Sequence, residues 1–120
     1  MYNHVTLVGN LGSDVEARIT PAGVSVAHFD LAVNKEWSDE AGVKQSKTVW
    51  VRVTCWRKLA DTCAQHLAKG KRVLVAGELE SASAYTDREG NARASSEVTA
   101  ARVLFLSRTA DVLPDVDETA

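Results

Sequence analysis

Through most of this chain, apolar and polar residues alternate with a period of two, the pattern of strands that lay one face on a core. Residues 3–8 alternate and then meet Gly9-Asn10-Leu11-Gly12, which predicts a strand ending in a turn. A short extended piece over 16–19 stops at Thr20-Pro21-Ala22-Gly23. In 24–33, Ser25, Ala27, Phe29, Leu31 and Val33 occupy the side that suits a core, and Val24, Val26, His28, Asp30 and Ala32 occupy the other. Residues 34–47 are polar apart from one tryptophan and read as an exposed loop. The plainest strand is 48–56, and 71–79 is a β-branched, apolar one. A hairpin turn falls on Asp87-Arg88-Glu89-Gly90-Asn91, and 96–107 is a last long strand. Only 58–67 changes period. Leu59, Cys63 and Leu67 recur every fourth place, one helical stripe closed by Lys69-Gly70.

This order predicts an all-β chain with five main strands. One short helix falls between strands 3 and 4, and a long hairpin joins strands 4 and 5. That is the arrangement of an OB-fold, a five-stranded Greek-key barrel. A doubly wound parallel sheet is excluded, because a single helix cannot supply the repeated crossovers such a sheet needs. The 120 residues suffice for one core. We place the domain at 1–108 and expect 109–120, with a proline, acids and no aromatic, to be a poorly ordered acidic tail. No apolar run approaches the length of a bilayer span, and the N-terminus has no basic patch leading into an apolar stretch, so a cytoplasmic chain is expected. Cys55 and Cys63 are too few for a disulfide framework and are not spaced as a zinc site; they read as reduced thiols.

Charge changes the picture only once it is divided. The chain carries 14 bases against 16 acids, which argues against a polyanion partner. Four of those acids, Asp111, Asp115, Asp117 and Glu118, stand in the tail without a base beside them, and setting them aside leaves 14 against 12. Any grip on phosphates must therefore come from local clusters.

The strand 48–56 supplies the chemistry. Its odd positions Val49, Val51, Val53 and Cys55 are apolar, while Trp50, Arg52, Thr54 and Trp56 alternate with them on the opposite face. Two indoles flanking a guanidinium suit a surface that stacks on bases and holds phosphates. The competing reading buries both indoles in a core. It is disfavoured because the valine face already supplies that core, and Arg52 would then need a buried partner at a cost of several kcal/mol. Trp37 stands among Asn34, Lys35, Glu36, Ser38 and Asp39 with no apolar neighbour to explain it, and Tyr85 sits near Arg88 and Arg93. The stacking candidates are thus Trp37, Trp50, Trp56 and Tyr85, and the phosphate candidates are Lys35, Arg52, Arg57, Lys71, Arg72, Arg88 and Arg93. Catalysis is not expected. No Ser-His-Asp order, phosphate loop or dinucleotide loop occurs, and His4, His28 and His66 share no ligand spacing, so neither a metal nor a cofactor is called for.

Taken together, the motifs resemble those of the bacterial single-stranded DNA-binding proteins. The similarity runs from Asn3-His4-Val5-Thr6-Leu7-Val8-Gly9-Asn10-Leu11-Gly12 through Leu31-Ala32-Val33 and Trp37 to Trp50-Val51-Arg52-Val53 and Trp56. It continues in Lys58-Leu59-Ala60, Lys69-Gly70, Val75-Ala76-Gly77-Glu78-Leu79, Tyr85, Asp87, Gly90, Arg93 and Glu97-Val98, covering about 3–107. The resemblance implies an OB fold, a homotetramer, and single-stranded DNA wrapped on aromatics during replication, recombination and repair. It also implies that Trp37, Trp50, Trp56 and Tyr85 hold stacking positions. Two departures stand out. Glu80-Ser81-Ala82-Ser83-Ala84 carries an acid where the family places bases, which implies weaker phosphate contact or a shorter site. Asp115-Val116-Asp117-Glu118-Thr119-Ala120 is acidic but lacks the aromatic tip through which the family recruits replication and repair proteins. The rival reading is a related OB module acting mainly through protein contacts. Three retained tryptophans argue against it, since a scaffold needs no exposed stacking rings.

Overall fold

The computed structural model describes the backbone of residues 1–86, 90 and 92–106, and the side chains of 1–81, 90 and 96–106. Strands β1 (Val5–Leu11), β2 (Glu16–Ile19), β3 (Ser25–Ser38) and β4 (Lys44–Trp56) come first. Helix α1 (Arg57–His66) and strands β5 (Arg72–Thr86) and β6 (Ala92–Leu106) follow. The sheet order β1-β5-β6-β4-β3 closes on itself where β1 also pairs with β3, at Asn10↔Ala32 and Leu11↔Leu31. The short β2 adds to the free edge of β3. All pairings are antiparallel except β4 with β6. The result is the expected OB-type barrel of five strands, with one helix after its third long strand.

Closure needs a small residue on β1. A Cβ at Gly9 would run into the carbonyl oxygen of Ala32, so glycine is what lets the two strands meet. The interior is filled by the apolar parity of each strand: Phe29 and Leu31 from β3, Val51, Val53 and Cys55 from β4, Val73 and Val75 from β5, and Val98 and Val103 from β6. Helix α1 closes one end of the barrel. Its expected stripe is buried at Leu59, Cys63 and, just beyond the helix, Leu67. The Leu67 N–H donates to the Cys63 carbonyl at 2.9 Å and stops the helix, and Asp14 accepts from the Lys69 N–H at 2.9 Å, tying that exit to the loop after β1.

The structure corrects the reading of 34–47 as a loop. β3 runs unbroken to Ser38 and β4 begins at Lys44, so these residues form a two-stranded arm that leaves the barrel in continuous register with it. Asp39 makes the turn: one carboxylate oxygen accepts from the N–H groups of Ala41 and Val43, both at 2.9 Å, and Gly42 takes the left-handed φ of +78°. These bonds, that from Val43 foremost, hold the Asp39 carboxyl below the usual aspartate range. Val26, assigned to the polar side, is 2% exposed, because β2 and α1 lie over that end of β3. β5 and β6 also extend beyond their expected ends and pair as far as Thr86↔Ala92. Residues 87–89 and 91 of the expected hairpin turn, and the tail 109–120, lie outside the described residues.

Candidate nucleic-acid interface

Strand parity sorts β4 as its sequence requires. Val51, Val53 and Cys55 are buried, while Trp50 and Trp56 stand outward at 52% and 44% exposure with Arg52 exposed between them. The indole of Trp50 lies over the backbone of Gly12. A Cβ there would overlap Cζ3 of the ring and stand 2.6 Å from Cη2. The Gly12 N–H is in turn anchored on the Asp30 carbonyl at 2.8 Å, so the shelf beneath the ring is fixed to β3. Trp56 ends β4. The next residue, Arg57, takes φ +59°, a left-handed conformation that bends the chain sharply into α1.

Trp37 is 44% exposed on the β3–β4 arm, with the Lys35 ammonium 5.9 Å from its ring centroid. Its parity differs from that of Trp50. Trp37 and Lys35 share the face of the arm that continues the barrel's inner side, opposite Gln45 and Lys47, whereas Trp50 shares the outer face with Ala32 and Asn34. The three rings therefore lie on two faces of one ribbon.

The cations are less concentrated than the sequence suggested. Arg52 stands in a cross-strand row between Asp30 on β3 and Glu97 on β6, with Glu80 beyond Glu97 on β5. Lys71 immediately precedes β5 and Arg72 begins it, where the Arg72 Nε donates to the Asn10 Oδ1 at 3.3 Å, two strands removed from β4. Tyr85 and Arg93 are register partners on the β5–β6 hairpin, whose side chains lie outside the described ones, and Arg88 falls wholly outside the described residues. Sequence reasoning missed Lys44 and Lys47. Both are exposed on the arm, and Lys47 is the direct register partner of Lys35. A loop has no register, so reading 34–47 as one concealed that pair.

In the row below Arg52, Glu16, His28, Thr54 and Thr99 follow one another across β2, β3, β4 and β6. The His28 Nδ1 lies 3.1 Å from the Thr54 Oγ1. Burial, then the guanidinium charges of Arg52 and Arg18, hold its imidazole below the ordinary histidine value against the opposing pull of Glu16 and Glu97. Among the described residues no three His, Cys, Asp or Glu side chains converge as metal ligands, and no helix is long and apolar enough to cross a membrane.

A closed five-stranded barrel with one helix and outward aromatics on its central strand defines a protein of the OB-fold class. Within that class, the Single-strand binding protein family matches residues 2–106, and the chain belongs to that family. It is 40% identical over 96 residues to single-stranded DNA-binding protein 1 of Chlorobaculum tepidum, covering 80% of this chain and 59% of that protein. It is likewise 40% identical over 108 residues to the single-stranded DNA-binding protein of Deinococcus radiodurans, covering 90% of this chain and 35% of the relative. The chain thus spans less than two thirds of the length of either relative. Among solved structures, the Plasmodium falciparum SSB complex with ssDNA superposes with a TM-score of 0.75 at 27% identity, covering 89% of this chain and 97% of that one.

Proposed function

We propose that this protein binds single-stranded DNA with little regard to sequence, stacking bases on Trp50, Trp56 and Trp37, with Tyr85 as a fourth ring on the β5–β6 hairpin. The observation that carries the reading is the pair of half-exposed indoles at 50 and 56, with Arg52 between them, on a strand stretch whose other face, Val51, Val53 and Cys55, is core. Each stacked base contributes roughly 1–3 kcal/mol whatever its identity, and a duplex hides the base faces that such rings need. The phosphate contacts fall to Lys35, Lys44 and Lys47 on the arm and to Arg52 and Arg57 beside Trp56, with Arg93 on β6 and, from the sequence, Arg88. Lys71 and Arg72 are peripheral. Because Trp37 and Trp50 occupy opposite faces of the arm, a strand that engages both passes around the arm's edge.

No catalytic step is part of this role, which is protection of exposed strands in replication, recombination and repair in the cytoplasm. The binding unit is 1–108, followed by an acidic tail. A homotetramer is the assembly we favour. Its support is an outward apolar row of register partners, Val8 on β1, Leu74 on β5 and Leu104 on β6, in which Val8 is 48% exposed. An OB module working mainly through protein contacts would have no use for three exposed indoles.

Titration with poly(dT) at several salt concentrations, followed by tryptophan fluorescence, tests the proposal. Strong quenching that single-stranded but not duplex DNA produces is the expected result, and unchanged fluorescence would end it. Light scattering reports the subunit count.

A further inference from the structure

The β1–β5 ladder starts at Asn10↔Arg72 and goes no further than Val5↔Gly77. Two residues beyond that pair on each strand, a side chain takes over from the main chain. The Asn3 Oδ1 accepts from the Leu79 N–H at 3.0 Å, and the Asn3 Nδ2 donates to the Leu79 carbonyl at 2.9 Å. One carboxamide thus presents the acceptor and the donor that a neighbouring strand would present, and it pairs both backbone groups of one β5 residue.

Leu79 is where such a tie has most effect. Two register shifts interrupt the β5–β6 pairing, one between Ala76 and Gly77 and one between Glu80 and Ser83. Irregularities of this kind bend a strand and raise its twist, so 77–80 forms a short joint between barrel and hairpin. On the β6 side the joint is tight: a Cβ at Gly77 would run into the Thr99 carbonyl oxygen. On the other side the β1 ladder has ended, and Asn3 holds the joint beside the point where the hairpin departs. Beyond it β5 and β6 pair with each other through Tyr85↔Arg93 to Thr86↔Ala92. From Leu79 to Tyr85 the strand spans about 20 Å at about 3.3 Å per residue, so a tilt of about 10° at its root displaces Tyr85 by about 3.5 Å.

We propose that Asn3 is a positioning residue for strand binding: it fixes the direction of the β5–β6 hairpin and, through it, the position of Tyr85. It acts through Leu79 rather than by contact with the bound strand. This role rests on the reading of Tyr85 as a fourth stacking ring and adds what holds that ring in place.

The test is a double-mutant cycle with fluorescein-labelled oligo(dT), read by anisotropy, on the wild type, Asn3→Ala, Tyr85→Ala and the pair. A second cycle puts Trp50→Ala in the place of Tyr85→Ala. Asn3 is exposed and precedes β1, so its variant keeps the barrel, and thermal unfolding checks this. Losing one stacked base costs on the order of tenfold in affinity, and Asn3→Ala should cost part of that, about threefold. In the Tyr85→Ala background the Asn3→Ala loss should vanish, whereas beside Trp50→Ala it should persist in full. A merely structural loss would show alike in both backgrounds. Equal losses in the two, or Asn3→Ala binding like the wild type, overturn the role of Asn3 and leave Tyr85 standing. Tyr85→Ala that binds as tightly as the wild type removes the ring itself, and the positioning role with it.

Discussion

The Trp50 indole rests on the backbone of Gly12, at a point where the chain has no room for a single added carbon on that side. A residue that is nearly forty positions away in sequence thus sets the height and tilt of a ring that faces solvent. Gly12→Ala should push the indole off its seat and weaken poly(dT) binding by about one stacked base, on the order of tenfold, while the Tm moves by only a few degrees. Fluorescence titration beside thermal unfolding checks it. A loss of binding that merely tracked loss of fold would refute the claim.

Arg52 and Arg57 should differ in what they contribute to phosphate binding. Arg52 lies between Asp30 and Glu97, which offset part of its charge. Arg57 stands at the bend after Trp56 in a conformation glycine adopts without penalty. Arg57→Gly should reduce the slope of log affinity against log salt by about 0.7, the value of one single-strand phosphate contact, with stability unchanged or slightly raised. Arg52→Ala should reduce that slope by clearly less. Salt titrations of both variants decide the order.

Cys55 and Cys63 approach to 3.9 Å between sulfurs, both sealed from solvent. The contact with Cys63, reinforced by burial, pushes the Cys55 thiol far above the ordinary thiol range. Neither thiol should react with iodoacetamide in the native protein, and labelling should appear only as denaturant opens the barrel. Cys55→Ala should cost about 1–2 kcal/mol through the void left beneath α1. Fast native labelling would contradict the packing.

His28 gives the fold a pH dependence with a definite sign. Its native value lies below the ordinary 6.5, so the unfolded chain takes up a proton on this ring that the folded chain refuses. The contribution to stability is complete above the unfolded value and declines as pH falls through it toward the native value. Between about pH 7.5 and about pH 5, urea midpoints of the wild type should therefore fall more steeply than those of His28→Gln, the other histidines and carboxylates being common to both. Parallel curves would show that the ring titrates normally.

Much of this was legible from the chain because it is local. Period two placed Val51, Val53 and Cys55 inside and Trp50, Arg52 and Trp56 outside, and period four found Leu59, Cys63 and Leu67. The arm was illegible for a physical reason. With water on both faces, its strands have no need to alternate, so the signal that marks a half-buried strand is missing there. Val26 was misplaced because β2 and α1 cover an otherwise outward position, and no pattern along β3 records what lies over it. The acids flanking Arg52 and the shelf at Gly12 exist only through strand register and barrel closure. Both join segments that the sequence keeps far apart.

The two-stranded arm carries a consequence for how the molecule breathes. From Asn34 to Val49 every residue is solvated, and nothing apolar is sealed between the ribbon and the barrel. Its cohesion comes from ladder hydrogen bonds, the Asp39 turn and a few exposed side-chain bonds such as Thr48 to Asn34, so opening it sacrifices no core. Amide hydrogens there should exchange with deuterium through small local fluctuations, while those of Phe29, Leu31 and Val53 wait for global unfolding. A bound strand clasping both sides of the ribbon would then slow exchange on the arm first and most, leaving a ligand footprint where the free protein is least protected.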